Sequence, residues 1–204
     1  MPFWPVRRRS LVTFPAKAVV GVVVAGGAAG QTQTQTASGR PLYEGRLDSF
    51  RGKSPAQTIQ EFVDREQIRD LIAIYAHRVA HGVSIADLFT DDGVYINRHG
   101  PGGPVSEAHG RKALEERFGD MHGAGNAMPM IHNHLYSIHG DEATGICSNE
   151  LRITENGQSI IASGYYQDKL RRENGLWKFV VRDVTFFHWV PIQEGWAKPV
   201  ASGK

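Results

Sequence analysis

Between residues 54 and 82 the apolar positions recur with a helical period. Ile68, Leu71, Ile72, Tyr75 and Val79 stand at i, i+3, i+4, i+7 and i+11, one stripe along a helix. Gly82 ends that helix. Ser84 is placed to cap a short second helix over residues 85–89, and Asp91-Asp92-Gly93 turns the chain into a strand over 94–97. A Pro/Gly-rich loop over 99–110 leads to a third helix over 111–121, with Leu114 and Phe118 facing inward. From there the period changes to two. Strands are predicted over 130–138, 143–154, 159–172 and 176–190, divided by Gly140-Asp141, Asn156-Gly157 and Asn174-Gly175, all strong hairpin signals. The predicted fold is therefore α+β, with three N-terminal helices packed on a strongly curved antiparallel sheet. Helices laid across the concave face leave a conical pocket.

The chain before that pattern has a different character. Arg7, Arg8 and Arg9 are followed by an apolar run through Val22, Val23 and Val24, the small residues Gly26 to Gly30, and the polar repeat beginning at Gln31. That order is the one an export signal needs, and Arg8-Arg9 before Ser10-Leu11-Val12 resembles a twin-arginine signal. Pro15 and Lys17 interrupt the run, which falls short of the ~20 residues of a membrane span. The expected organisation is an export signal over 1–30, a flexible lead-in over 31–54, one domain over 55–191 and a tail over 192–204. The expected location is periplasmic or secreted, with no membrane contact after cleavage.

Charge sharpens the division. The chain of 204 residues carries 23 Lys+Arg against 21 Asp+Glu, a net of +2. Four of the 23, Arg7, Arg8, Arg9 and Lys17, lie in the first 30 residues, which hold no acid, so 19 against 21 remain, a net of −2. A phosphate-backbone binder needs a basic face, so nucleic acid is an unfavoured partner. The single cysteine, Cys147, excludes an intrachain disulfide and a cysteine-based zinc cluster.

Several motifs resemble the SnoaL-like branch of the nuclear transport factor 2-like superfamily. They are Ile68-Arg69-Asp70-Leu71-Ile72 with Tyr75, then Leu88-Phe89-Thr90-Asp91-Asp92-Gly93-Val94-Tyr95, and Gly110-Arg111-Lys112-Ala113-Leu114. Gly140-Asp141-Glu142-Ala143-Thr144 and Gly175-Leu176-Trp177-Lys178-Phe179 with Arg182 complete the set, so the resemblance spans about residues 58–190. It implies a cone fold whose members include dehydratases, isomerases, cyclases, epoxide hydrolases and silent binding domains. In catalytic members an Asp near the end of the first helix holds a His that removes a proton. Counted from Ile68, that Asp position is occupied by Ala80, whose small side chain enlarges the pocket. The His position falls on His132 or His134. The resemblance further implies a homodimer or higher homo-oligomer formed through the open sheet face, where the aromatic last strand lies.

The residues themselves offer matching chemistry. Simple alternation sends His132, His134 and Tyr136 to one face of a strand, two imidazoles and a phenol suited to moving a proton beside a carbonyl or hydroxyl of a small hydrophobic molecule. These histidines and Tyr75 are the candidate catalytic residues, and Tyr136, Asn97, His188, Val79 and Ala80 the candidate substrate contacts. His-x-His also matches a zinc-ligand spacing, with His188 as a third ligand, but no third ligand identifies itself. No metal and no cofactor is expected, since no cofactor motif is present. His77 and His81, at i and i+4, read as a helix-terminal pair, with His81 available to stand in for the absent carboxylate. The Gly100-Pro101-Gly102-Gly103-Pro104 loop reads as a flap or plain surface. The expected activity is a cofactor-independent lyase or isomerase. The alternative is a noncatalytic ligand-binding or assembly domain that has lost the His-Asp pair.

Overall fold

The computed structural model describes residues 50–99, 104–119, 121 and 127–195, and all of them fall in one compact unit. The expected export signal, residues 31–49 of the lead-in, the loop over 100–103 and residues 196–204 of the tail lie outside the described residues.

Helix α1 spans Pro55–Ala80. Ser54 opens it with a reciprocal capping box, its hydroxyl accepting from the Gln57 N–H while the Gln57 side chain accepts from the Ser54 N–H. The predicted stripe is the buried one: Ile68, Leu71, Ile72 and Tyr75 are buried, with Val79 packed at the margin. The first half of α1 docks differently, through two buried carboxylates. Glu61 pairs with Lys53 and Arg65, and Asp64 accepts from Arg172 at 2.8 Å and from Gln60 at 3.0 Å.

Among the described residues two α-helices are present where the sequence predicts three. The second predicted helix is a single 3₁₀ turn, Ala86–Leu88. Ile85, Ala86 and Leu88 are all buried, and Phe89 enters the sheet directly, so no room remains for a full turn of i→i−4 hydrogen bonds. Helix α2 is Gly110–Phe118, and Leu114 and Phe118 face inward as predicted.

Among the described residues six strands form one sheet in the order β2-β1-β6-β5-β4-β3. They are β1 Phe89–His99, β2 Val105–His109, β3 Met128–His139, β4 Glu142–Glu155, β5 Gln158–Glu173 and β6 Leu176–Pro191. The sheet is antiparallel except for one pairing, since β1 runs parallel to β6. Strand β2 occupies part of the predicted loop. It is an edge strand with only Ala108 buried, so its sequence carries no apolar alternation. The last two hairpins close as predicted on Asn156-Gly157 and Asn174-Gly175, where both residues of each pair have positive φ, the requirement of the tight turn that matches strand twist. α1 packs across β3 and β6, placing the core between the helix and the concave sheet face.

Candidate functional site

The strand registers align a polar row across the concave face. Tyr136 on β3 stands opposite Gly145 on β4, Gly145 opposite Asp168 on β5, Asp168 opposite Arg182 on β6, and Arg182 opposite Tyr95 on β1. Asp168 and Arg182 are fully buried, and Arg182 Nη1 donates to Asp168 Oδ2 at 3.5 Å. The guanidinium carbon lies 3.8 Å from the Tyr166 ring centre, 4.0 Å from that of Tyr75 and 4.4 Å from that of Phe179. Tyr75 reaches this cage from α1 because it belongs to the buried stripe; it meets Tyr166 edge to face at 5.9 Å. A buried arginine in an aromatic cage keeps its charge by trading hydration for ring quadrupoles and a carboxylate.

Burial sets the titration of the site. It pushes Asp168 up to about 6, with Arg182 opposing and Asp183 adding to the rise. It raises Tyr75, Tyr95 and Tyr136 above the ordinary phenol range, so these hydroxyls stay protonated; Tyr75 is hydrogen-bonded to Tyr166 and Tyr95, while the Tyr136 hydroxyl has no partner. Burial pushes the Cys147 thiol up to about 12, with Asp168 adding to it, which leaves the thiol unreactive near neutrality. His134 is shifted down, first by burial and then by the positive charges of Arg69 and Arg182 and by His132. Its imidazole is therefore neutral, the form that accepts a proton.

Buried polar atoms without a hydrogen-bond partner concentrate here. They include Arg182 Nε and Nη2, Asp168 Oδ1, Tyr136 Oη, His134 Nε2, both amide atoms of Asn149 and Asn97 Oδ1. Native interiors satisfy nearly all such groups, so an accumulation of them on one face of a sheet marks a place where a ligand or ordered water completes the bonding.

The two histidines are not in phase. The register of β3 against β4 slips by one residue between His132 and Leu135, and Asn133 takes a left-handed φ of 55°. This bulge flips the alternation. His134 then shares the concave phase with buried Tyr136, and the two rings lie 6.1 Å apart. His132 pairs with Ser148, in the phase opposite to buried Cys147 and Asn149. The other predicted contacts scatter. Asn97 is half-buried on β1, opposite Val184. Val79 and Ala80 form the half-buried end of α1. His188 pairs with Ser163 and is hydrogen-bonded to its hydroxyl at 2.9 Å, one step out of phase with buried Ala162. His81 is exposed, its Nδ1 2.7 Å from the His77 carbonyl, so it does not take the place of a carboxylate beside His134.

Two surface cavities have volumes near 480 and 330 Å³. The first is lined by Lys53, Glu61, Asp64, Asp141 and Arg172, the second by His139, Lys169 and Arg171 among others, and neither includes His134, Tyr75 or Tyr136. Among the described residues, no three His, Cys, Asp or Glu side chains gather as a metal ion requires.

With this geometry in place, comparison with known proteins identifies the chain. The model of the SnoaL-like domain matches residues 60–183. The chain belongs to the SnoaL-like family. Solved structures agree on the nuclear transport factor 2-like fold. One is a protein from Novosphingobium aromaticivorans named as a candidate scytalone dehydratase: 18% identity over 66% of this chain and 91% of that one, TM-score 0.58. Another is a hexachlorocyclohexane dehydrochlorinase from Novosphingobium barchaimii, 17% identical over 66% of this chain and 93% of that one, TM-score 0.57. A third, an NTF2-like protein with a cystatin-like fold from N. aromaticivorans, is 21% identical over 70% and 94%, TM-score 0.54. None of the curated proteins compared matches this chain.

Within this SnoaL-like domain the sequence reading passed over Asp168, Asn149 and Tyr166, and met Arg182 only as part of a motif. A signal was present. Asp168 sits between Tyr166 and Leu170, and Arg182 precedes Val184 and Phe186, each a charged group in the apolar phase of a strand. A charge in that phase is buried with a partner or is used by a ligand.

Proposed function

We propose that this SnoaL-like domain binds a small, largely apolar molecule against its concave face and moves a proton on it without a cofactor, as a lyase or an isomerase. The observation that carries the reading is the convergence of His134 Nε2 and Tyr136 Oη, both buried and unpartnered, on the face that holds Arg182. His134 in its neutral form accepts the proton, the protonated phenol of Tyr136 donates to a carbonyl or leaving group, Tyr75 packs against Arg182 with its hydroxyl bonded to Tyr166 and Tyr95, and Arg182 steadies developing negative charge. Tests are chloride release from hexachlorocyclohexane and water loss from scytalone, the molecules named for two structural neighbours. His134→Ala is expected to lower turnover by about 10²-fold or more, and His132→Ala much less. Turnover unchanged in both variants ends the assignment.

A second reading has its own observation. Ala80 leaves the helix end without a carboxylate, and the groups that shift His134 are Arg69, Arg182 and His132, none of them acidic. A domain that retained the cone and lost the pair acts as a binding or assembly module. Mass spectrometry of molecules that copurify, with no turnover of either compound, supports it.

We also propose export through residues 1–30, checked by N-terminal sequencing of the mature protein, which is expected to begin near Gln31. Self-association is proposed through the outer sheet face, where Leu135 and Phe187 are 53% and 36% exposed and the Tyr165 ring lies tilted against Phe187, their centres 5.4 Å apart.

A further inference from the structure

We propose that a ligand of this concave face carries a carboxylate, held side-on by the Nε and Nη2 edge of Arg182. The proposal rests on the reading of the concave face as a ligand site and specifies its chemistry. Arg182 is fully buried, and three aromatic rings lie within 4.4 Å of its guanidinium carbon. Of its donors, Nη1 serves Asp168, the Cys147 sulfur also lies within hydrogen-bond reach of the guanidinium, and Nε and Nη2 have no partner. These two nitrogens are adjacent on one edge of the planar group, where their N–H bonds run parallel. That is the fork a carboxylate fills with both oxygens. A lone carbonyl satisfies one donor and strands the other. A phosphate dianion brings more charge than a single arginine already shared with Asp168 can balance. The rings of Tyr75, Tyr166 and Phe179 packed on the guanidinium make its surroundings apolar and aromatic, so the substrate class we propose is a small aromatic or alicyclic carboxylic acid.

A second carboxylate on one guanidinium has a consequence. The groups facing Asp168 are Arg182 and Asp183 from β6, Cys147 from β4 and Tyr136 from β3. Tyr75 from α1 and Tyr166 from β5 lie against the same guanidinium, with His134 and, through it, Arg69 nearby. Apart from Arg182, the groups closest to Asp168 are acidic or neutral. A ligand carboxylate adds another negative charge, so Asp168 takes up a proton as the ligand binds and affinity falls as pH rises.

The test measures binding of benzoate and 2-naphthoate, each against its methyl ester, to the full-length protein by calorimetry at pH 6 and pH 8. The acids are expected to bind at least tenfold more tightly than the esters at pH 6 and to weaken several-fold by pH 8, while the esters show no pH dependence. Asp168→Asn is expected to remove the pH dependence and keep the preference for the acid. Arg182→Lys, if its circular dichroism shows it folded, is expected to abolish that preference. Esters binding as well as acids, or a preference that survives in folded Arg182→Lys, overturns the carboxylate assignment and leaves the ligand pocket standing. Binding of neither class overturns both. Should Arg182→Lys not fold, the acid-to-ester ratio and pH slope of the unmodified protein decide.

Discussion

Gly145 shows how a single residue fixes the site. A Cβ there would stand 2.2 Å from Cδ1 of the Tyr136 ring and 2.5 Å from Cε1, so the ring lies where a side chain would be. Gly145→Ala is expected to cost about 1–3 kcal/mol in urea unfolding and to displace the Tyr136 phenol from its place beside His134. Asp168 carries the other residue-scale prediction. Its folded pKa, near 6, lies above the ordinary carboxylate value of 3.8. The folded state therefore holds more protons than the unfolded chain between about pH 4 and 6, and this group's contribution to stability falls as pH rises through that window and then levels off. The difference between Asp168→Asn and the unmodified protein, followed by unfolding midpoint from pH 4 to 8, is expected to change across that interval by about 2–3 kcal/mol. A flat difference removes the assignment.

At the scale of the element, α1 is two docking surfaces in series. Its second half, from Ile68 to Val79, is held by apolar burial and is legible from the period of the sequence. Its first half exposes Ile59, Phe62 and Val63 and buries Glu61 and Asp64, the reverse of what hydrophobicity alone predicts. The reason lies in the sheet, because Arg172 at the end of β5 stands over Trp177 and reaches both Asp64 and Asp141. Arg172→Met is expected to destabilise the fold by about 3 kcal/mol, since it leaves Asp64 buried without its cation. Ile59→Ser, on the exposed side, is expected to stay within about 0.5 kcal/mol. The contrast is measured by chemical denaturation of the two variants side by side. Strand β3 gives the same lesson. Alternation places His132 and His134 together, and one extra residue at Asn133 separates them.

For the whole molecule, the sheet separates a polar concave row from a partly apolar outer face. Phe187→Glu is expected to shift the protein to a slower-sedimenting, smaller species with unchanged circular dichroism. An unchanged sedimentation profile ends the proposal of self-association through that face.

What the sequence determined by itself was local: the helix stripe, the capped start at Ser54, and the Asn-Gly turns with the long strands they join. Each depends on residues within a few positions of one another, through side-chain spacing or the left-handed backbone that Asn and Gly tolerate. The family was legible in the same way, from short motifs strung in order. Tertiary structure decided the parallel pairing of β1 with β6, the edge strand β2, the change of phase in β3 and the meeting of Asp168 with Arg182 beneath Tyr75. These depend on register between distant segments, and a slip of one residue exchanges the faces of a strand. The chemistry of the concave face was written in residue types that the sequence displays, but which of them face one another is a property of the folded sheet.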